Sequence, residues 1–441
     1  MDDARDYRLV ADRIAADIAS GRLRPGDRLP PQRRFARQHG IANSTAARVY
    51  ADLVRRGLVT GEVGRGTFVR AGSAAEHALA EPADARVDLE LNFGVLPEQP
   101  ALLSASLAEL VRPDRLRHSL RPSVVRADGR TREAVASAVS VPEWRADPER
   151  LVFAGNGRQA IAAAVAALVP SGGRLGVEAI TYPVVKGIAA RLGVRLVPIE
   201  MDEEGVTPDA VRRAQGLHAV YLQPALHNPL GVTMSAHRRE EIALVLRQRD
   251  LACVEDRIYA FLRPDLPPLA ALAPERVVVV DGFSKRVSPG LTLGVAVVPD
   301  GLGGKVSGAV RSGVWAPASF ALDAVTQWIS DGTVTTLAQG KRRDAAARQE
   351  LVRARLAGFA VRADSAAYHA WWELPEPWRA ETFVAAAARA GIAVTPAAAF
   401  TVGSGLAPAA VRLALSAPAV STVDKALGVL AALAAEGSDF E

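Results

Sequence analysis

Between residues 150 and 283 short apolar runs alternate with stretches of helical periodicity. RLVFAG precedes QAIAAAVAALV, RLGVEAI precedes VVKGIAARLG, AVYLQPA precedes AHRREEIALVLRQRD, and LACVED and VVVVDGF follow. A short unbroken apolar run reads as a strand covered on both faces. Strands that alternate with amphipathic helices predict crossover connections and a largely parallel sheet. In such a sheet ligands collect at the carboxyl ends of the strands. The chemistry of this chain is therefore expected where its apolar runs stop.

The polar residues at those ends form a series: AGNGRQA, EAITYP, QPALHNPLG, EDRIYAF and GFSK. The last is the most specific. The chain has five lysines against 48 arginines, so its ordinary surface charge is carried by arginine. Yet Lys285 falls between VVVVDGF and LTLGVAVVP, two segments that read as buried strands. Apolar surroundings disfavour an ammonium ion and leave a neutral amine able to attack an aldehyde.

A length of 441 residues exceeds one ordinary domain. The 49% apolar and 23% charged residues describe a globular protein. No apolar stretch reaches membrane-spanning length, and MDDARDYRLVADRIAAD lacks the order of a signal peptide, so a cytoplasmic location and no membrane partner are expected. The single cysteine, Cys253, excludes an internal disulfide or a cysteine-based zinc site and reads as a small buried hydrophobe.

Charge is unevenly spread. Residues 1–72 carry 14 arginines against 8 carboxylates, whereas the remainder holds 39 basic and 40 acidic groups. One basic module on a nearly neutral body is the pattern of a domain that meets a polyanion. Helical spacing predicts a first helix from about 6 to 20, a second over PQRRFARQHG closed by Gly40, and a third capped by Asn43 or Ser44 and ended by Gly57. LVTGEVGRGTFV predicts a hairpin. Three helices and a hairpin make a winged helix-turn-helix. Residues 73–87, rich in Ala, Glu and Pro, read as a linker to the body at 88–441.

GRLRPGDRLPPQRRFARQHGIANSTAARVYADLVRRGLVTGEVGRGTFV resembles the DNA-binding domain of GntR-type regulators along its length. That resemblance implies that Arg33, Thr45, Arg48 and the wing residue Arg65 face double-stranded DNA. Such regulators often begin the recognition helix with Ser-Arg. Here Ala42 and Asn43 stand in those places, which favours adenine over guanine as the base read.

The strand-end series, in its order, is similar to aminotransferases of the pyridoxal phosphate fold-type I class. A GntR-type head on such a body resembles the MocR/GabR-type regulators over essentially the whole chain. The fold this implies is α/β: a winged helix-turn-helix, then a mostly parallel sheet domain with a small C-terminal subdomain from about 335 to 441. The resemblance implies that Lys285 holds the cofactor as a Schiff base. Asp256 would pair with the pyridine nitrogen, Asn228 and Tyr259 would bond the phenolic oxygen, and Tyr182 would stack on the ring. Gly157 and Arg158, opening a helix, would receive the phosphate, and Arg412 would clamp a ligand carboxylate.

Two phosphate contacts usual in the family are missing. Gly282 and Thr292 replace a Ser/Thr and an Arg, while Arg158 stands where a small or amide side chain is usual. Arg158 is therefore expected to restore the charge from the opposite wall, with Ser284, Thr292 or Arg286 as further donors. Upstream, RPSVVRADGRTREAV lacks the tyrosine that usually reaches the partner subunit's phosphate.

Read singly, Asp256 with Tyr259 is an ordinary strand-end pair, Asn228-Pro229 a turn, Tyr182 core packing and Arg412 a strand-edge arginine. Their order favours the joint reading: a homodimeric regulator that binds pyridoxal phosphate and senses an amino-group ligand bearing a carboxylate. Two alternatives stay open. One is a working aminotransferase, the other a regulator whose large domain has lost the cofactor and serves for dimerisation.

Overall fold

The computed structural model describes residues 3–19, 22–23, 27–56, 58–62, 66–69, 85–314, 316–403 and 407–437. The head consists of α1 (Asp3–Ala19), α2 (Gln32–His39), α3 (Asn43–Arg55) and an antiparallel hairpin of β1 (Val59–Glu62) with β2 (Gly66–Val69). Ala11, Ile14, Phe35, Val49, Leu53, Val59 and Val69 close over one another as its core. Gly40 ends α2 at φ 63°, a conformation that glycine adopts without a steric penalty. The start of α3 differs from expectation. Ala42 occupies the cap position, no side chain caps the helix, and Asn43 is already its first residue. The expected stop at Gly57 lies outside the described residues.

The body is built on a seven-stranded sheet. Its strands run, in spatial order, Leu151–Ala154, Gly294–Val297, Val277–Gly282, Ala252–Asp256, Ala219–Leu222, Arg174–Glu178 and Arg195–Ile199. All neighbours are parallel except Gly294–Val297, which is antiparallel to both of its partners. Alternate residues of each strand enter opposite cores. Cys253, Val277 and Val279 pack on one face, Val254, Val278 and Val280 on the other. That double cover is why these strands read as unbroken apolar runs.

A second, five-stranded sheet has the order Ala360–Arg362, His369–Glu373, Ala410–Ala414, Ile392–Pro396 and Val87–Leu89. The helices Ala380–Arg389 and Val420–Glu436 pack on it, and the 23-residue helix Thr333–Arg355 leads into it. Val87 pairs in parallel with Ile392. Val87, expected at the end of the linker, is instead a strand residue of this sheet, which draws strands from both ends of the body. Periodicity did not show this, because a three-residue strand carries almost no pattern. No helix among the described residues is long and apolar enough to cross a membrane.

Candidate functional site

A cavity of about 400 Å³ opens at the carboxyl ends of the central strands. Gly157, Arg158, Tyr182, Asn228, Asp256, Tyr259, Ser284 and Lys285 all line it. The series that sequence order joined is therefore one site in space.

Lys285 follows the strand Val277–Gly282. Its ammonium donates to the Asn92 carbonyl at 2.7 Å and lies 3.4 Å from the centre of the Phe93 ring. Its remaining exposure is to the cavity that it lines. Burial, and then the positive charges of Arg158, Arg412 and Lys341, hold its pKa well below the ordinary lysine value. The amine is thus predisposed to be neutral.

Asp256 ends its strand 2% exposed. It accepts the Tyr221 hydroxyl at 2.6 Å, the Gln223 amide at 3.0 Å and the Ile258 N–H at 3.0 Å. Burial lifts its pKa to about 6 against the pull of those donors. A buried carboxylate poised this way gains most from a cationic partner.

Asn156 caps the helix Gly157–Leu168 by accepting the Gln159 N–H at 3.0 Å. The first-turn N–H groups of Gly157 and Arg158 have no helix carbonyl to bond. The helix can begin so close to the sheet because position 294 has no side chain: a Cβ there would stand 2.1 Å from the Asn156 carbonyl oxygen. Gly282 is similarly confined, since a Cβ would meet the Leu293 carbonyl oxygen at 3.0 Å and the Gly157 nitrogen at 3.4 Å. A serine or threonine there would require the surrounding backbone to give by a few tenths of an ångström.

Arg158 and Arg286 take opposite directions. Arg158 lines the cavity together with Tyr182, and its positive charge opposes the rise that burial gives the pKa of the Tyr182 hydroxyl. Arg286 turns away, pairs with Asp281 in a buried ion pair and lies over the Phe261 ring. The expectation that Arg286 adds a donor to the cup is overturned, because the Asp281 carboxylate already holds its guanidinium.

Arg412, 6% exposed in the strand Ala410–Ala414, lies beside the cavity rather than in its lining. It donates to the Glu90 carbonyl at 2.6 Å and to Thr395 Oγ1 at 2.9 Å, while its buried Nε has no partner. In the head, Arg33, Asn43 and Arg48 are exposed, and Arg48 lies over the Tyr7 ring at 5.1 Å. Thr45 is 2% exposed, so its side chain packs inside the head instead of facing outward as expected. Arg65 lies outside the described residues.

Four residues of the site escaped the sequence reading. Tyr221 and Gln223 hold Asp256, Asn92 donates to the Tyr259 hydroxyl at 3.2 Å, and Lys341 stands behind Lys285. Tyr221 and Gln223 had a signal in AVYLQPA, polar groups in an apolar run. Asn92 had none, being 167 residues from Tyr259.

A strand-end amine and a buried carboxylate facing one cavity place the body in the class of aminotransferase-like α/β proteins, and the winged helix ahead of it adds a DNA-binding module. The chain belongs to the aminotransferase class I and II family, which it matches over residues 126–430, and residues 6–69 match the gntR family of bacterial regulatory proteins. It is a DNA-binding GntR-type regulator with an aminotransferase-like domain. The HTH-type transcriptional regulator YdeF of Bacillus subtilis is 28% identical over 418 residues, spanning 93% of this chain and 90% of the relative. The vitamin B6 salvage pathway transcriptional repressor PtsJ of Salmonella typhimurium is 28% identical over 342 residues, 75% of this chain and 73% of the relative. Among solved structures, an archaeal alanine:glyoxylate aminotransferase superimposes with a TM-score of 0.74 at 20% identity, covering 88% of this chain and 99% of that one.

Family and fold imply pyridoxal phosphate as the cofactor. The residues present fit it. Asn228 Oδ1 and Thr292 Oγ1 are buried in the cavity wall without hydrogen-bond partners, and most buried polar groups have one, so both can bond a group placed in the cavity. Cationic Arg158 and the open helix start suit an anion, and Asp256 suits a protonated ring nitrogen.

Proposed function

We propose that this protein binds pyridoxal phosphate through Lys285 and senses a small amino-group ligand, whose binding changes the head's grip on operator DNA. The observation that carries this reading is the pairing of Lys285 with Asp256 across one cavity, an amine pushed toward neutrality opposite a carboxylate lacking a cation. When bound, the cofactor supplies an aldehyde for amines and a ring that withdraws electrons.

Around it each side chain has a separable task. Asp256 holds the proton on the ring nitrogen, and Tyr221 and Gln223 keep that carboxylate pointed at it. Asn228 and the Tyr259 hydroxyl orient the phenolic oxygen, and Tyr182 covers one ring face. Arg158, the free N–H groups at the helix start, Ser284 and Thr292 form the phosphate cup. Arg412, with an unused buried Nε, takes the carboxylate of the ligand. A homodimer would present two heads to repeated half-sites, with Arg33, Asn43, Arg48 and Arg65 on the DNA side.

The test is a visible spectrum of the purified full chain with pyridoxal phosphate, before and after borohydride, with Lys285→Ala as the control. Lysine-dependent absorbance that borohydride fixes supports the reading, and a colourless protein rejects it. A further spectral change with an amino acid, accompanied by a change in operator affinity, identifies the sensed class. Steady formation of keto acid would identify an enzyme instead.

A second reading takes the cofactor itself as the signal. Gly282 and Thr292 leave the cup without two usual phosphate donors, which suits reversible occupancy, and a relative is named as a vitamin B6 salvage repressor. Operator affinity that responds to pyridoxal phosphate alone favours this reading. A response that requires an added amine favours the first.

A further inference from the structure

Lys341 is one of the five lysines of the chain and is 1% exposed, on the helix Thr333–Arg355 that leads from the large sheet to the small one. A buried ammonium must satisfy its donors or give up its proton. Lys341 Nζ donates to the carbonyl of Lys285 at 2.8 Å and to that of Val287 at 2.9 Å. The Val287 carbonyl also accepts from Gln99 at 2.9 Å. The flanking side chains Phe283 and Val287 are fully buried. The turn that carries Lys285 is therefore held at its backbone from outside, and its side chain is the part left facing the cavity.

We propose that Lys341 is a positioning residue for Lys285: it fixes the turn from which that side chain projects and keeps a second positive charge behind it. The inference rests on the reading of Lys285 as the reactive amine. The charged groups around the pair set the sign. Arg158, Arg412 and Lys341 disfavour protonation of Lys285, and Asp256 favours it. Asp344 stands one helical turn on from Lys341, its carboxylate bonded by Arg348 and Tyr368, and Glu98 lies near Gly340 on the other side. Burial brings the pKa of Lys341 down to about 8, with Asp344 opposing, so the group is cationic at neutral pH and close to losing that charge above it. Removing its charge should make Lys285 easier to protonate.

The test uses the full chain without cofactor, so that it does not depend on the proposed function. Trace labelling with acetic anhydride between pH 5 and 10, read at Lys285 by peptide mass spectrometry, gives the pH at which that amine becomes reactive. Lys341→Met should move this midpoint upward, and Lys341→Arg, which keeps the charge, should leave it at the wild-type position. If Lys341→Met does not fold, Lys341→Gln removes the charge while keeping a donor and is read the same way. A merely structural role would lower the melting temperature of these variants and leave the Lys285 midpoint where it was, and that result overturns the proposal. Failure of the wild type to develop absorbance with pyridoxal phosphate would overturn the proposed function, while the labelling result would still decide the role of Lys341.

Discussion

The Tyr221 hydroxyl donates to Asp256 Oδ2 at 2.6 Å, from the neighbouring parallel strand and in the interior of the sheet. Both groups are fully buried, and the bond stabilises the ionised carboxylate against the cost of burial. Tyr221→Phe deletes one hydroxyl and leaves the packing in place. It should weaken pyridoxal phosphate binding about tenfold, the value of one hydrogen bond to a charged group, as read by titrating the visible absorbance. Unchanged affinity would mean that Gln223 and the Ile258 N–H suffice to hold Asp256.

Burial raises the pKa of Asp256 to about 6, well above that of an ordinary aspartate. A carboxyl group whose pKa is raised on folding favours the folded state below its unfolded pKa, and that contribution is lost as pH rises through the folded value. The Asp256 contribution in the unloaded wild type should therefore be lost between about pH 4 and 6. Asp256→Asn should remove this dependence and be the more stable of the two at pH 7 by about 1–3 kcal/mol. Denaturant melts at pH 4 and pH 7 check the sign, and a gap that is the same at both values refutes it.

Arg158→Ala removes the cation we assign to the phosphate cup. Losing a charge-assisted hydrogen bond costs about 1.5–3 kcal/mol, so pyridoxal phosphate affinity should fall roughly ten- to a hundredfold, while pyridoxal, which lacks the phosphate, should lose little. Equal losses for both compounds would place Arg158 outside the phosphate subsite.

Restoring the usual serine should not repair the cup. In Gly282→Ser the new Cβ meets the Leu293 carbonyl oxygen at 3.0 Å, where only backbone can yield, and overpacking of this kind costs about 1–3 kcal/mol. Gly294→Ala faces an approach of 2.1 Å to the Asn156 carbonyl oxygen and should lower the melting temperature far more. Thermal melts of the two variants rank the contacts directly.

In the head, exposed Arg48 and buried Thr45 predict different phenotypes. Arg48→Ala should weaken operator binding and reduce the slope of log affinity against log salt by about 1 if its guanidinium meets a phosphate. Thr45→Ala should act through stability, with little change in which sequence is preferred. Binding curves at several salt concentrations, paired with melts, separate the two effects.

The alternation of apolar runs and helical stretches was sufficient by itself to specify a largely parallel α/β body, because burial on both faces of a strand leaves a local, periodic mark. The same holds for the three helices and hairpin of the head, and for the rank of Tyr182, Asn228, Asp256, Tyr259 and Lys285 at successive strand ends, since chain order sets which strand carries each. Only the tertiary structure decided which way side chains turn and what stands behind them. Arg158 enters the cavity, whereas Arg286 leaves it to pair with the buried Asp281 carboxylate. Thr45 is inside the head, Val87 pairs with a strand some 300 residues away, and Lys341 grips the Lys285 turn across 56 residues. Those contacts join segments far apart in sequence, so no local spacing records them; they exist only once the sheets have brought the segments together.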